Sequence, residues 1–467
     1  MDESGLTQQP KKQKLNEELD IVDRNIKCLH NLPEEILRYI LSLLPTRDAI
    51  RTSILCKRWE YLWTSIPNLD FFGGMDHDKR ILFMNYVERV LLLRDSTDIK
   101  RFSLSCQVLN DASHVSAWIY TAVRCNVRKL YLSLYHFEEP LSLPHCLFKC
   151  VTLTELELEI YGIPKLPPTV CFTNLKSLII RYVTFSNEYL TQKLFSGLPV
   201  LEELELEYCN WVNIKVVSIS APKLLYIGIT EDTENQNDEK GCQVMISGVS
   251  LNIFYYLGEF YNEYRVYNSS SLVNATIVVG WSLQRQRQVA QRMYILLTGF
   301  YRVKELILAD CALKALTYAV EVAELLPHMP IFKNLEYLAF DESLVNLDSV
   351  ALLKILQKSP CLKTMEFYGE INLSLDCERN DRILDPVPPC FLSQLNCIKV
   401  CNYEGDEKEL SAVKILLKNA VALDKMVITC SHHFVEDLEN LKKVHEQLLK
   451  LRRGSKHCEL VFDLYLS

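Results

Sequence analysis

One pattern dominates the chain and limits what it can fold into: a leucine, two residues, a second leucine, one residue, then an apolar side chain. Clear copies are Val127-Leu130-Leu132, Leu153-Leu156-Leu158, Leu175-Leu178-Ile180, Leu201-Leu204-Leu206, Leu224-Ile227-Ile229, Val303-Leu306-Leu308, Leu335-Leu338-Phe340, Leu362-Met365-Phe367, Leu395-Ile398-Val400 and Leu423-Met426-Ile428. Weaker copies start at Leu251 and Leu272. The last two apolar positions in each copy are two residues apart, the period of a strand with one buried face. No single copy can bury that face, but stacked copies share one continuous core. The pattern therefore predicts an α/β solenoid, with parallel strands inside and returning segments outside. Glu188–Phe195 and Leu347–Leu356 read as outer helices. An ordinary α/β domain with a parallel sheet is the alternative reading.

Ahead of the repeats lies a different module. Residues 1–24 are polar and charged and read as a disordered tail. Pro33, Glu34 and Glu35 then suit a helix start, proline at the first position and acid at the positive end of the helix dipole. Apolar residues follow at Ile36, Leu37, Ile40, Leu41, Leu43 and Leu44, and Pro45 stops the helix. Thr46 is expected to cap a second helix. A third helical run carries Ile54, Leu55, Trp59, Leu62 and Trp63. So short a segment cannot cover that much apolar surface alone, so part of it is expected to meet a partner. A helical cap on the following domain is the alternative.

Leu32-Pro33-x-x-Ile36-Leu37-x-x-Ile40-Leu41-Ser42-x-Leu44-Pro45 followed by Ser53-x-Leu55-Cys56-Lys57-Arg58-Trp59-x-x-Leu62-Trp63 resembles the F-box motif. The repeats resemble leucine-rich repeats of irregular type, lacking most of the consensus asparagines. A third resemblance, to the FBD region of plant F-box proteins, rests on Pro386-Val387-Pro388, Phe391-Leu392, Tyr403-x-Gly405-x-x-x-Glu409-Leu410 and Leu423-x-Lys425-Met426, with Val421 where a proline is usual. Together they are similar to the plant FBD-associated F-box family. The implied organisation is a tail at 1–24, a three-helix F-box at 25–75, a leucine-rich-repeat arc at 100–357, an FBD region continuing the repeats at 358–430, and a helix–strand cap at 431–467. In the cap, Phe434, Leu438, Leu441, Val444 and Leu448 form one helical stripe, and Leu460–Leu466 reads as a last strand.

The resemblance implies a function: substrate recognition in a Skp-cullin-F-box ubiquitin ligase. It implies a Skp-type adaptor as partner, and through it a cullin scaffold, with adaptor contacts carried by Leu32, Pro33, Ile36, Leu37, Ile40, Leu44, Pro45, Ile54, Trp59, Leu62 and Trp63. A repeat scaffold without ligase function is the alternative. The target protein is expected on the strand face that the leucines leave outward. There stand Glu155, Glu157 and Glu159, then Ser177, Ile179 and Arg181, then Glu203, Glu205 and Glu207. Six carboxylates around one arginine favour a basic target segment, or else form a solvated polar face. Tyr131, Tyr226 and Tyr337 are further candidates, because aromatic anchors often dominate binding.

Other chemistry finds no support. Dehydrogenase, Walker, nucleophile-elbow and zincin motifs are absent. Adjacent His432 and His433 make a poor metal pair, and Cys146-x3-Cys150 and Cys397-x3-Cys401 lack the second half of a zinc site. The reading is a non-catalytic receptor with no cofactor or metal. The net charge of −8, with only Lys11-Lys12-Gln13-Lys14 as a basic cluster, argues against nucleic acid. No stretch of about 18 uncharged apolar residues predicts a membrane span. The 17 cysteines are scattered and many stand in apolar runs, as Cys106, Cys125, Cys171 and Cys311 do, which fits buried free thiols in cytosol or nucleus. The acidic run Glu231–Lys240 interrupts the repeats and is expected to be a mobile loop.

Overall fold

The computed structural model describes residues 32–73, 79–95, 97–138, 140–231, 241–280, 285–321, 329–341, 344–373, 384–430 and 438–463. The 1–24 tail, residues 232–240, His432-His433, Phe434 and the end of the last predicted strand (464–466) lie outside them, as does the side chain of Leu441. The chain divides into two compact units, Met1–Phe137 and Glu138–Ser467.

The first unit opens with helix Glu34–Ser42, which buries Leu37 and Leu41. Pro33 sits at its N-cap rather than inside it, and its carbonyl accepts from Ile36 N and Leu37 N. The next helix, Thr46–Arg51, is likewise preceded by proline at the cap position. Thr46 does not cap it: its side chain is fully buried, and its hydroxyl accepts from Asp70 N at 2.7 Å. The expected third helix is instead a chain of tight turns, with 3-10 segments at Thr52–Ile54 and Leu62–Ser65. Trp59 N bonds to Cys56 O, Leu62 N to Trp59 O and Ile66 N to Trp63 O. Trp59, Leu62 and Ile66, the donors of these three turns, are all buried.

Strand–helix units begin earlier than the leucine pattern suggests. Strands Asn68–Phe72, Arg101–Leu109 and Lys129–Phe137 run parallel, with Leu69 opposite Phe102 and Phe102 opposite Leu130. Helices Arg80–Leu93 and Ala112–Arg124 connect them.

In the second unit, parallel strands follow one another in sequence order from Glu155–Gly162 to Glu459–Asp463. Their register aligns the predicted apolar positions in two rows. One runs Leu156, Leu178, Leu204, Ile227, Phe254, Ala275, Leu306, Leu338, Met365, Ile398, Met426, Leu460. The other runs from Leu158 through Tyr256 to Phe462. The weak copies at Leu251 and Leu272 are full members, and both leucines are buried. This is the α/β solenoid that the repeat predicts.

The returning side is only partly helical. Helices Glu188–Ser196, Gln286–Thr298, Val350–Gln357 and Glu407–Asn419 lie in returns, but three middle returns are strands, Val216–Ser220, Gln243–Ser247 and Glu263–Tyr267, paired in a small parallel sheet. Their β-branched and aromatic alternation (Val217, Ile219, Val244, Ile246, Tyr264, Val266 buried) favours strand over helix.

Glu231 does not belong to a mobile loop. It is 3% exposed and accepts from the Tyr256 and Tyr264 hydroxyls (2.6 and 2.9 Å), the Tyr261 and Asn262 amides (2.8 and 2.9 Å) and the Asn262 side chain (2.9 Å). Five donors on one carboxylate satisfy a charge that burial alone would forbid.

Helix Glu407–Asn419 and strands Cys397–Tyr403 and Lys425–Cys430 continue the same ladder. Asp406 caps the helix by accepting from Glu409 N at 2.7 Å, and Glu409 reaches back to accept from Glu404 N and Gly405 N at 2.9 and 2.7 Å. Gly405 takes φ +80°, which glycine adopts without strain. The Tyr-x-Gly-x-x-x-Glu spacing is therefore a capping device. Val421 N donates to Phe391 O at 2.9 Å, a bond that proline in its place could not make. Helix Leu438–Leu449 and strand Glu459–Asp463 close the described ladder, burying Val444 and Leu448.

Candidate functional site

In the first unit, the motif residues separate into two groups. Leu37, Trp59, Leu62 and Trp63 are buried and hold the unit together, so in the free chain they are not open to a partner. Leu32, Ile40 and Leu44 are half-buried. Pro33, Ile36, Pro45 and Ile54 are exposed, Ile54 at 88%. The same helices and turns also expose Tyr39, Leu43, Leu55 and Tyr61. Ile36, Tyr39 and Leu43 follow each other by three and four residues, so they line one stripe of the first helix opposite Leu37 and Leu41. Six large apolar side chains exposed in so short a stretch exceed what a free surface ordinarily carries. Tyr39, Leu43, Leu55 and Tyr61 escaped the sequence reading, although the breadth of the apolar stripe was their signal. Arg38 pairs with Glu34 and bonds Ser65, and Arg58 bonds Leu32 O at 2.5 Å, which fixes the chain's entry into the helix.

In the second unit, the outward row residues fall where strand alternation places them. Glu155, Glu157 and Glu159 stand opposite Ser177, Ile179 and Arg181, and these opposite Glu203, Glu205 and Glu207. All are half-buried except Glu203, which is exposed. Arg181 is not an isolated charge: it pairs with Glu157 and, at 2.7 Å, with Glu207. Burial works against its charge, but the hydrogen bonds and charges of Glu207 and Glu157 outweigh that and hold its guanidinium above the usual value. Glu159 accepts from the Tyr161 hydroxyl at 2.7 Å. Burial, then the hydrogen bond and charge of Glu207, push the Glu205 carboxyl up. Arg181 thus offsets two of the six carboxylates, Glu157 and Glu207.

Beside this row lies a stack that the sequence reading missed. Tyr161, Tyr182 and Tyr208 stand ring on ring, with centroids 4.4 and 5.0 Å apart and planes 13° from parallel. Tyr182 and Tyr208 hold φ +57° and +55°, a conformation costing a bulky side chain about 1–2 kcal/mol. The signal was available: Tyr161, Tyr182 and Tyr208 follow Glu159, Arg181 and Glu207 by one or two residues in three successive repeats.

Tyr226 and Tyr337 share this face of the second unit. Tyr226 lies over Gly228, where any Cβ would come within 2.7 Å of its hydroxyl. Burial first, then Glu205, raises its phenol above the ordinary value. Tyr337 donates to Glu366 at 2.7 Å, and Lys399 donates to the same oxygen at 3.0 Å. Its hydroxyl is committed to a local network rather than open to a ligand. Tyr131, in the first unit, has the Arg101 guanidinium 5.1 Å from its ring centroid.

No group of His, Cys, Asp and Glu that could hold a metal occurs among the described residues. Burial pushes the thiols of Cys106, Cys209, Cys242 and Cys390 up to about 12, which leaves them inert at neutral pH. No described helix is long and apolar enough to cross a membrane.

Comparison with known families matches three regions: an F-box domain at residues 29–71, the repeats of an FBD-associated F-box protein at 115–240, and an FBD at 385–428. Similar relatives come from Arabidopsis thaliana. An F-box/FBD/LRR-repeat protein is 29% identical over 93% of this chain and 98% of its own length. An F-box/LRR-repeat protein is 28% identical over 93% and 95%, and an FBD-associated F-box protein 28% identical over 92% and 98%.

Proposed function

We propose that this chain, which carries the F-box, leucine-rich-repeat and FBD regions of the FBD-associated F-box proteins, is the target-binding subunit of a Skp-cullin-F-box ubiquitin ligase. An F-box joined to leucine-rich repeats has the make-up of a substrate adaptor, and such a protein contributes position rather than bond chemistry. Tethering a target lysine near the charged ubiquitin carrier raises its effective concentration.

The observation that carries this reading is the division of labour in the F-box. Leu37, Leu41, Trp59, Leu62 and Trp63 form its interior, while Pro33, Ile36, Tyr39, Leu43, Ile54, Leu55 and Tyr61 are left for a partner. The Skp-type adaptor is that partner, and the cullin is reached through it. The target occupies the outward strand face, where Glu155, Glu157, Glu203 and Glu205 favour a basic segment and the tyrosine stack supplies rigid contact area. The compartment that fits free buried thiols is cytosol or nucleus.

Co-expression with a Skp-type adaptor, followed by size-exclusion chromatography with light scattering, tests the reading. Wild type is expected to elute as a one-to-one complex, and Ile36→Glu, Ile54→Glu to elute alone yet folded, because both positions are exposed. A folded wild type that never binds the adaptor leaves a repeat scaffold without ligase function. For the target face, Lys at positions 155, 157, 203 and 205 is expected to abolish target capture and leave adaptor binding intact.

A further inference from the structure

Tyr131, Tyr226 and Tyr337 all stand outward on their strands, but their surroundings differ. Tyr131 has the Arg101 guanidinium 5.1 Å from its ring centroid. The Tyr337 hydroxyl is held by Glu366, which Lys399 also engages. Tyr226 has no such partner: among the described residues no cation stands over its ring.

The strand around Tyr226 explains how its ring is presented. The next residue on the same face is Gly228. A Cβ there would meet the Tyr226 hydroxyl at 2.7 Å, Cζ at 3.2 Å and Cε1 at 3.3 Å. The ring therefore lies down along the strand, its far end filling the space of the missing side chain. Glycine within a strand gives up packing and chain entropy, and it often marks a place where something must approach closely. Gly228 is buried and Tyr226 half-buried, so one side of the ring rests on the strand and the other is open.

Strand register supplies the walls. On one side Glu203 stands opposite Tyr226, and Glu205 opposite Gly228. On the other side Ile253 stands opposite Tyr226, and Tyr255 opposite Gly228. Neighbouring strands lie about 4.8 Å apart, so these four side chains flank the ring at one strand spacing. Neither Glu203 nor Glu205 makes an ion pair with a described residue, unlike Glu157 and Glu207, which share Arg181. Ile253 is exposed and Tyr255 half-buried. The site thus has an aromatic floor, an acidic wall and an apolar wall. A cation with a flat head and an apolar stem meets all three, and arginine is that side chain. Its guanidinium stacks on aromatic rings and forks to carboxylates, whereas the lysine ammonium is a compact, strongly hydrated point charge.

We propose that an arginine of the target protein seats on Tyr226, its guanidinium stacked on the ring and forked to Glu203 and Glu205, its stem against Ile253 and Tyr255. The proposal rests on the outward strand face of the second unit being the target site, and it makes Tyr226 the specificity-determining contact there. Gly228 is a positioning residue, which lets the ring lie down.

Calorimetric titration of the full-length chain tests this, using short peptides of alternating glycine and lysine whose central residue is arginine, lysine or citrulline. Citrulline keeps the planar head and loses the charge. The arginine peptide is expected to bind about fivefold more tightly than the other two. Tyr226→Leu and Gly228→Ala are each expected to remove that preference. Tyr226→Phe is expected to keep it, because the ring and not the hydroxyl carries the contact. Circular dichroism checks that each variant is folded, and Tyr226→Leu decides the outcome if Gly228→Ala is not. Equal affinity of wild type for the three peptides overturns the proposal and leaves the face a general site for basic segments. A preference that survives Tyr226→Leu also overturns it, because the arginine then binds elsewhere. Failure of all three peptides to bind removes the outward face as a site for basic targets, and the arginine seat with it. Adaptor capture is not read by this experiment, so its outcome stands apart from the ligase assignment.

Discussion

Replacing Glu409 by glutamine removes one buried titratable group and leaves its shape. The carboxyl is 2% exposed, accepts from Glu404 N and Gly405 N, and has a second oxygen without a partner. The Tyr403 hydroxyl is buried and unpartnered as well. Burial raises Glu409 from 4.5 to about 7, the two backbone donors only partly offsetting it. Between those values the folded chain keeps a proton that the unfolded chain releases. This contribution to stability is therefore full below pH 4.5, falls as pH rises, and is gone above about 7. From pH 5.5 to 8 the loss is about 2 kcal/mol, at 1.36 kcal/mol per pH unit crossed, and the near-complete burial leaves little solvent screening to reduce it. Glutamine does not titrate, so Glu409→Gln lacks this slope. The assay is hydrogen exchange of helix Glu407–Asn419 at both pH values, corrected for intrinsic rates. Wild type is expected to lose about 2 kcal/mol of local protection relative to the variant on going to pH 8. Parallel pH profiles, or a wild type that gains protection with pH, would refute the assignment of the proton to Glu409.

Glu231→Gln puts an amide N–H2 among five donors, and is expected to cost about 3 kcal/mol in urea unfolding and to free amides 256–264 in hydrogen exchange. Thr46→Val leaves Asp70 N without its acceptor, with an expected loss of about 1–2 kcal/mol and unchanged helix content by circular dichroism, because Thr46 is not a cap. Val421→Pro, toward the usual residue of the family, is expected to lower stability by about 1 kcal/mol through the lost bond to Phe391 O; a neutral result would mean that the bond contributes nothing.

The strand ladder was legible because each strand has one buried face, and a period of two leaves no freedom in which residues fill it. Even Ala275 and Tyr256, poor matches by residue type, sit in the two apolar rows. The returning segments were less legible. Whether Val216–Ser220 becomes helix or strand depends on the neighbouring returns it pairs with, which no local spacing reveals. The outward acids were found by alternation, but not their pairing: Arg181 reaches Glu157 in one neighbouring strand and Glu207 in the other, a choice made across strands. Glu231 was misread because a run of acids in sequence looks solvated, and only the folded chain brings Tyr256, Tyr261, Asn262 and Tyr264 around it. In the F-box, motif spacing located the module but could not separate inside from outside. Trp59 and Trp63 match the motif as well as Ile36 and Ile54 do, yet the first pair is core and the second is surface.

The most direct measurement of the ligase assignment is the adaptor's footprint on the full-length chain, read by hydrogen exchange with and without a Skp-type adaptor. Protection confined to segments 33–45 and 52–62, with the repeats from Glu155 onward unchanged, is the predicted result. An unchanged F-box, or protection gathered on the repeat face instead, would contradict it.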